Sequence, residues 1–246
     1  MTALLTVAGL GVRFAGLQAL ADVSLQAEAG EVIGLIGPNG AGKTTLINAI
    51  SGAVPYRGRV TFAGQSLAGR KSFEIARLRL ARTYQIVQPF PAMTVRDNVA
   101  AGALFARVEP SLARALAWAE AVLDRVGLTP ESGRPAAQLT LAQRKRLEIA
   151  KALAARPRMM LLDEVNAGLN ASEIAAALTL IRGIAADGVT VLLVEHLMRV
   201  VSGLCSRVVV LHHGRLIADG APATVLADPA VIEAYLGQRY AERSRA

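Results

Sequence analysis

The chain has 246 residues, 53% hydrophobic and 19% charged. That is enough apolar material for one large domain or two small ones, and too little charge for a wholly disordered chain. Mean hydropathy is +0.39, yet no stretch approaches the roughly 18 uncharged apolar residues of a spanning helix, and the first eleven residues lack the basic lead-in of an export signal. The net charge of +8 is scattered over Arg77, Arg79 and Arg82, then Arg144, Lys145 and Arg146, then Arg239, Arg243 and Arg245. With no aromatic residues interleaved, it reads as solvated helix faces first, an anionic membrane surface second and nucleic acid last. A lone Cys205 excludes an intrachain disulfide framework and suits a reducing cytosol, and with only three histidines it makes a poor set for structural zinc.

In chain order, residues 4–14 and 19–27 alternate apolar and polar positions between glycines, as half-buried strands do. Residues 32–36 are wholly apolar and end at Gly37, which suits a buried parallel strand. A helix is expected over 44–50, closed by Ser51-Gly52, with strands at 60–62 and 82–85. From Pro89 to about Thr140 the pattern is helical. Thr94 and Asp97 resemble a capping box ahead of 95–106, and a second helix over 112–126 stops at Gly127. Strand–helix alternation then resumes: a helix at 141–155 stopped by Arg156-Pro157, a strand at 159–162, a helix at 171–186 and a strand at 189–194. Such alternation argues a parallel sheet covered on both faces. Turns are expected at His213-Gly214 and Asp219-Gly220, and Asp228-Pro229 starts a helix over 230–236.

Gly37-Pro38-Asn39-Gly40-Ala41-Gly42-Lys43-Thr44 matches the phosphate-binding P-loop pattern, between an apolar strand and a helix as the mechanism requires. Its glycines let backbone N–H groups point into one hollow, and the next helix, entered through Thr44 and Thr45, adds the positive end of its dipole. Lys43 is placed to reach the β and γ phosphates, and the Thr44 hydroxyl to ligate Mg²⁺. Further on, Met159-Met160-Leu161-Leu162-Asp163-Glu164 is an apolar strand ending in two acids. Ligands gather beyond the carboxyl ends of strands in open α/β sheets. Asp163 is therefore expected to face Mg²⁺ and Glu164 to orient or deprotonate an attacking water.

At this point the chain resembles the nucleotide-binding subunit of an ABC transporter over nearly its whole length. The resemblance rests on motifs in the family's order: Gln85 after Arg82-Thr83-Tyr84, the signature-like Leu139-Thr140-Leu141-Ala142-Gln143, the D-loop-like Ala167-Gly168-Leu169-Asn170 after Asp163-Glu164, Val194-Glu195-His196 as the switch histidine, and Phe14 at the adenine-stacking position. It is most similar to the first of the two ATPases of branched-chain amino acid importers, sharing Glu195-His196 and the ending Val231-Ile232-Glu233-Ala234-Tyr235-Leu236-Gly237.

The resemblance implies an α/β P-loop NTPase fold with a mainly parallel core sheet, an N-terminal antiparallel β subdomain and an inserted α-helical subdomain at 89–140, within one ATP-binding domain. It implies ATP hydrolysis with Mg²⁺ held by Thr44, Asp163 and Gln85, with Glu164, His196 and Gln85 as the catalytic set. Phe14, the residues 37–45, Asp163 and the segment Thr140, Leu141, Ala142, Gln143 would contact nucleotide. It further implies transmembrane permease partners met near residues 85–91, a head-to-tail dimer with a second copy or a paralogue, no nucleic acid, and a peripheral place on the cytoplasmic face of the membrane. Leu141 and Ala142 replace two glycines of the common signature. Side chains are tolerable there if φ is negative at a helix start, and costly if the glycines serve close approach. Val165 and Asn170 depart in the same way from the usual proline and aspartate. His212, His213 and Trp118 read as structural. Three other readings compete: export of lipopolysaccharide-type material, a soluble ABC-type protein, and a P-loop kinase. The span from Gln85 to Leu139 is too short for the coiled-coil arm of repair proteins, and a kinase should lack the signature helix and His196.

Overall fold

The computed structural model describes residues 3–84 and 87–236. The elements run β1 (Leu5–Phe14), β2 (Leu17–Ala27), β3 (Val32–Ile36), α1 (Lys43–Ile50), β4 (Arg57–Phe62), β5 (Gln65–Ser66), α2 (Ser72–Arg77), β6 (Leu80–Arg82), α3 (Val95–Phe105), α4 (Leu112–Val126), α5 (Leu141–Ala154), β7 (Met159–Asp163), α6 (Ala171–Ala186), β8 (Thr190–Val194), α7 (Met198–Leu204), β9 (Arg207–His212), β10 (Arg215–Gly220), α8 (Pro222–Leu226) and α9 (Pro229–Leu236). They fall into two compact units. One holds the residues up to Arg70 and from Thr190 onward, and the other those from Lys71 to Val189.

In the first unit, β2, β1, β4 and β5 pair antiparallel in that order. β1 sends Leu5, Val7, Leu10 and Val12 inward, the alternation visible in the sequence interrupted by a register shift between Val7 and Leu10. A second set of strands centres on β3, which runs parallel to both β8 and β9. Every residue of β3 and of β8 is buried, as parallel strands covered on both faces require. β10 returns antiparallel to β9 through His213-Gly214, with φ of 47° and 73°. Two successive positive φ values give the turn whose twist matches a hairpin. The second expected turn, Asp219-Gly220, is instead the end of β10. Asp219 is engaged on the strand by Arg207, Nε to Oδ1 2.5 Å. Pro229 opens α9, and the Asp228 carboxylate accepts the Ala230 N–H at 2.8 Å.

In the second unit, β6 and β7 are parallel, with Arg82 beside Leu161. The strand expected at 82–85 is in fact Leu80–Arg82. Leu80 and Ala81 are its buried pair, and Thr83 and Tyr84 come after it. α3 is capped by Thr94, whose hydroxyl accepts the Asp97 N–H at 3.0 Å, and Gly127 closes α4 at φ 69°. Trp118 packs as expected: its indole N–H donates to the Ala154 carbonyl at 3.1 Å and the Arg156 guanidinium lies 4.4 Å from its ring centre. α6 buries Ile174, Ala177, Ile181 and Ile184, one face at helical spacing. β5 and α2, two and six residues long, have no counterpart in the hydrophobic pattern, because periodicity carries no signal at that length. Among the described residues no helix is long and apolar enough to cross a membrane.

Candidate functional site

β3 delivers the chain into the loop at Gly37, and α1 begins at Lys43. Gly37, Gly40 and Gly42 have φ of 147°, 78° and 107°. At Gly37 the constraint is also steric, since a Cβ would stand 2.0 Å from the Leu211 carbonyl oxygen. The β9–β10 turn braces the loop: the Gly214 N–H donates to the Ala41 carbonyl at 2.9 Å, and the Gly214 carbonyl accepts the Ala21 N–H at 2.8 Å. A Cβ at Gly214 would lie 2.5 Å from the Ala19 carbonyl oxygen. Sequence reasoning misses Leu211 and Gly214 as parts of the site, and the His213-Gly214 turn is their only trace in the sequence.

Lys43 is buried, and its ammonium donates to the Gly37 and Pro38 carbonyls at 2.6 and 3.0 Å. No side chain caps α1 and no acid sits in its first turn, which holds Thr44 and Thr45 half-buried. The N–H groups and positive end of this helix therefore face the loop's hollow uncompeted by a carboxylate. Pro38 is half-buried, Asn39 and Gly40 are exposed, and Ala41 is buried.

Leu35 stands opposite Val194, and the Glu195 N–H donates to the Leu35 carbonyl at 3.3 Å. The loop and His196 thus leave adjacent parallel strands at the same carboxyl edge, where α/β sheets collect ligands. Glu195 is buried and its carboxylate accepts the His196 N–H at 3.2 Å, fixing the backbone beneath an exposed imidazole. Phe14, at the end of β1, is 44% exposed. It is not a core residue, so it keeps aromatic surface that a planar base could meet. His212 and His213 sit at the hairpin turn with ring centres 4.1 Å apart. Burial pulls the His212 pKa down and His213 adds to this, with Glu233 opposing. Burial pushes the Tyr235 phenol up, and a hydrogen bond with the Gly37 backbone opposes it.

The second unit carries the other half of the expected set. Asp163 ends β7 fully buried. Its N–H donates to the Thr83 hydroxyl at 3.2 Å, and Arg82 Nη2 lies 3.6 Å from its carboxylate. Burial lowers the Arg82 pKa, with Tyr84 and Asp163 opposing. Glu164 comes next with φ 48°, a left-handed conformation that costs a non-glycine residue roughly 1–2 kcal/mol. The ammonium of Lys145 donates to its carbonyl at 3.1 Å. The charge pattern assigns Lys145 to a solvated basic face, but it is buried, at 6% exposure. Its neighbour Arg144 stays exposed, its Nε donating to the Leu139 carbonyl at 3.0 Å.

Thr140 caps α5 with a reciprocal pair of bonds. Its hydroxyl accepts the Gln143 N–H at 3.3 Å, and the Gln143 amide oxygen accepts the Thr140 N–H at 3.0 Å. The hydroxyl hydrogen remains as a donor. Leu141 and Ala142 are the first helical residues, and neither has positive φ. Lack of glycine there carries no backbone strain. Asn170 caps α6 in the same way with Glu173. Gln85 lies outside the described residues.

The residue types fit the expected ligands. An N–H-lined hollow with a buried lysine suits a polyphosphate; in the one unit the hydroxyl of Thr44, and in the other the carboxylate of Asp163, are each oxygen donors of the kind a small hard cation such as Mg²⁺ takes.

Known proteins resemble the chain over nearly its whole length. A family model described as ABC transporter matches residues 20–167, and one described as branched-chain amino acid ATP-binding cassette transporter matches residues 215–241. The high-affinity branched-chain amino acid transport ATP-binding protein BraF of Pseudomonas aeruginosa is 38% identical, over 96% of this chain and 98% of BraF. The lipopolysaccharide export system ATP-binding protein LptB of Acidithiobacillus ferridurans is 36% identical, over 89% of this chain and 90% of LptB. The ADP conformation of MJ1267, an ATP-binding cassette of an ABC transporter, superposes with a TM-score of 0.87 at 29% identity, over 97% of this chain and all of that one.

Proposed function

The chain belongs to the ATPase subunits of ABC transporters, and from that premise we propose that it powers the import of branched-chain or similar small amino acids. Whole-chain identity is nearly equal for an importer relative and an exporter relative. The observation that favours import is the match of residues 215–241 to the branched-chain amino acid cassette model.

In the proposed cycle the polyphosphate of ATP occupies the hollow of residues 37–45, with Lys43 against the β and γ phosphates and Phe14 stacked on adenine. Thr44, Asp163 and Gln85 would hold Mg²⁺, whose chemistry when bound is to neutralise charge on the β and γ oxygens. Glu164 orients and deprotonates the attacking water, and His196 donates to the γ phosphate. A second cassette, a copy or a paralogue, brings Thr140 and the start of α5 over that phosphate, and the two ATP molecules hold the pair closed. Loss of the γ phosphate removes the contacts to Thr140 and His196, and the pair opens. The helical segment 89–140 carries the motion to a permease on the cytoplasmic face of the membrane. That partner meets the chain near Val87, half-buried, and Phe90, 47% exposed.

Two measurements test this. Glu164→Gln should bind ATP within about 2-fold of the parent while turnover falls about 100- to 10,000-fold, the span of general-base effects; normal turnover rejects Glu164 as the base. Proteoliposomes holding the chain with its permease and binding protein should take up leucine, isoleucine or valine only with ATP. Release of a lipid-linked substrate in place of uptake would assign the chain to export.

A further inference from the structure

We propose that Lys145, on the helix that carries the signature segment, is a positioning residue for Glu164: its ammonium locks the Glu164 backbone in the left-handed conformation that aims the carboxylate at the attacking water. The inference rests on Glu164 acting on that water.

Three observations carry it. First, Glu164 is a non-glycine residue at φ 48°, a state that relaxes to negative φ unless neighbours hold it. Relaxation turns the Glu164 peptide and redirects the side chain of the same residue. Second, the Glu164 carbonyl accepts two hydrogen bonds, from the Ala167 N–H at 3.1 Å and from Lys145 Nζ at 3.1 Å. The first belongs to the turn itself; the second is charge-assisted and comes from another element. Third, Lys145 is 6% exposed. A buried ammonium is costly to desolvate and stays only where oxygen acceptors meet it, so its place in the second turn of α5 is tied to the turn it grips.

The same helix touches that turn again at its start. A Cβ at Gly168 would lie 3.0 Å from Leu141 Cδ2. α5 therefore contacts the turn from Glu164 to Asn170 at two points, one polar and one apolar. The end that presents Thr140 to a partner's nucleotide is continuous with the lysine that sets Glu164. In this arrangement a shift of α5 on dimer closure also resets the catalytic backbone, which ties hydrolysis to closure within one element.

The test uses the full chain. Lys145→Met keeps length and removes the donor; Lys145→Arg keeps a charged donor. The methionine variant should hold its ATP dissociation constant within about 2-fold while kcat falls about 10- to 100-fold, the scale expected when a reacting group is displaced by a fraction of an ångström. The arginine variant should recover most of the rate. In a Glu164→Gln background, Lys145→Met should leave the residual rate unchanged, because a residue acting only through Glu164 has nothing left to position. An unchanged kcat in Lys145→Met overturns the proposal. So does an equal loss in the Glu164→Gln background, which would place the effect on the signature end of α5. Should the methionine variant fail to fold, Lys145→Gln, a neutral donor, should fall between it and the parent; full activity there also overturns the proposal. Normal turnover in Glu164→Gln alone would instead sink the assignment of the base, whatever Lys145 does.

Discussion

The loop before α1 and the start of α5 are both helix N-termini suited to phosphate, and they are built in opposite ways. The first relies on glycine. Gly37, Gly40 and Gly42 take φ values that side chains rarely adopt, Gly37 lies against the Leu211 carbonyl, and no side chain caps α1. The second relies on side chains. Thr140 and Gln143 cap each other, and the two residues that stand in for glycines have ordinary helical backbone. One site leaves its N–H groups to the ligand at a cost in conformational freedom; the other satisfies part of its own N-terminus and keeps a hydroxyl to offer. The same residue type in two phosphate motifs thus answers to two different physical demands, and only one of them forbids substitution.

The largest effect is expected from Gly37→Ala. The added methyl meets the Leu211 carbonyl oxygen at 2.0 Å, with φ at 147°. Backbone against backbone cannot be relieved by a rotamer change, so we expect a loss on the order of 3 kcal/mol or more in chemical denaturation, with ATP binding lost. A stable variant with normal affinity would show that conformation does not constrain the loop. Lys43→Ala comes next. It removes a buried ammonium that also ties the Gly37 and Pro38 carbonyls. Hydrogen bonds from a charged group are worth about 1.5–3 kcal/mol, which corresponds to ATP affinity weaker by roughly 10- to 100-fold in a titration. Equal affinity would count against the lysine as part of the cradle.

Legibility in the sequence divides along the same line. The loop is legible because its residue types are dictated by its own backbone and by the strand and helix on either side of it. β3, β7 and β8 are legible because a parallel strand buried on both faces leaves a near-continuous apolar run, broken only at the ends by Asp163 in β7 and Thr190 in β8. The brace on the loop is not legible, since Leu211 and Gly214 come from a distant hairpin and look like any strand end and turn. Lys145 misleads for a related reason: in a run of Arg144, Lys145 and Arg146 nothing local tells which cation faces inward. That is decided by a carbonyl oxygen on another element, at Glu164. β6 is displaced in the sequence reading toward its polar end, because Thr83 and Tyr84 favour strands more strongly than Leu80 and Ala81, while the register with β7 runs from Leu80 to Arg82.

The smallest expected effect is the most discriminating. Leu141→Gly restores the residue most common at that place in the family. If glycine there serves conformation, the change should gain nothing, because φ at Leu141 is already not positive. It should instead destabilise by about 0.5–1 kcal/mol through the entropy of a glycine in the first helical turn, with a further small loss from the side chain that meets Gly168. ATP turnover at saturating nucleotide should stay within about 2-fold of the parent, a change below about 0.5 kcal/mol in the barrier. A severalfold rise in turnover would mean that glycine serves close approach of the γ phosphate. The bare N–H surface, and not the cap, would then be the working part of the signature segment, and the two N-termini would differ far less than their backbones suggest.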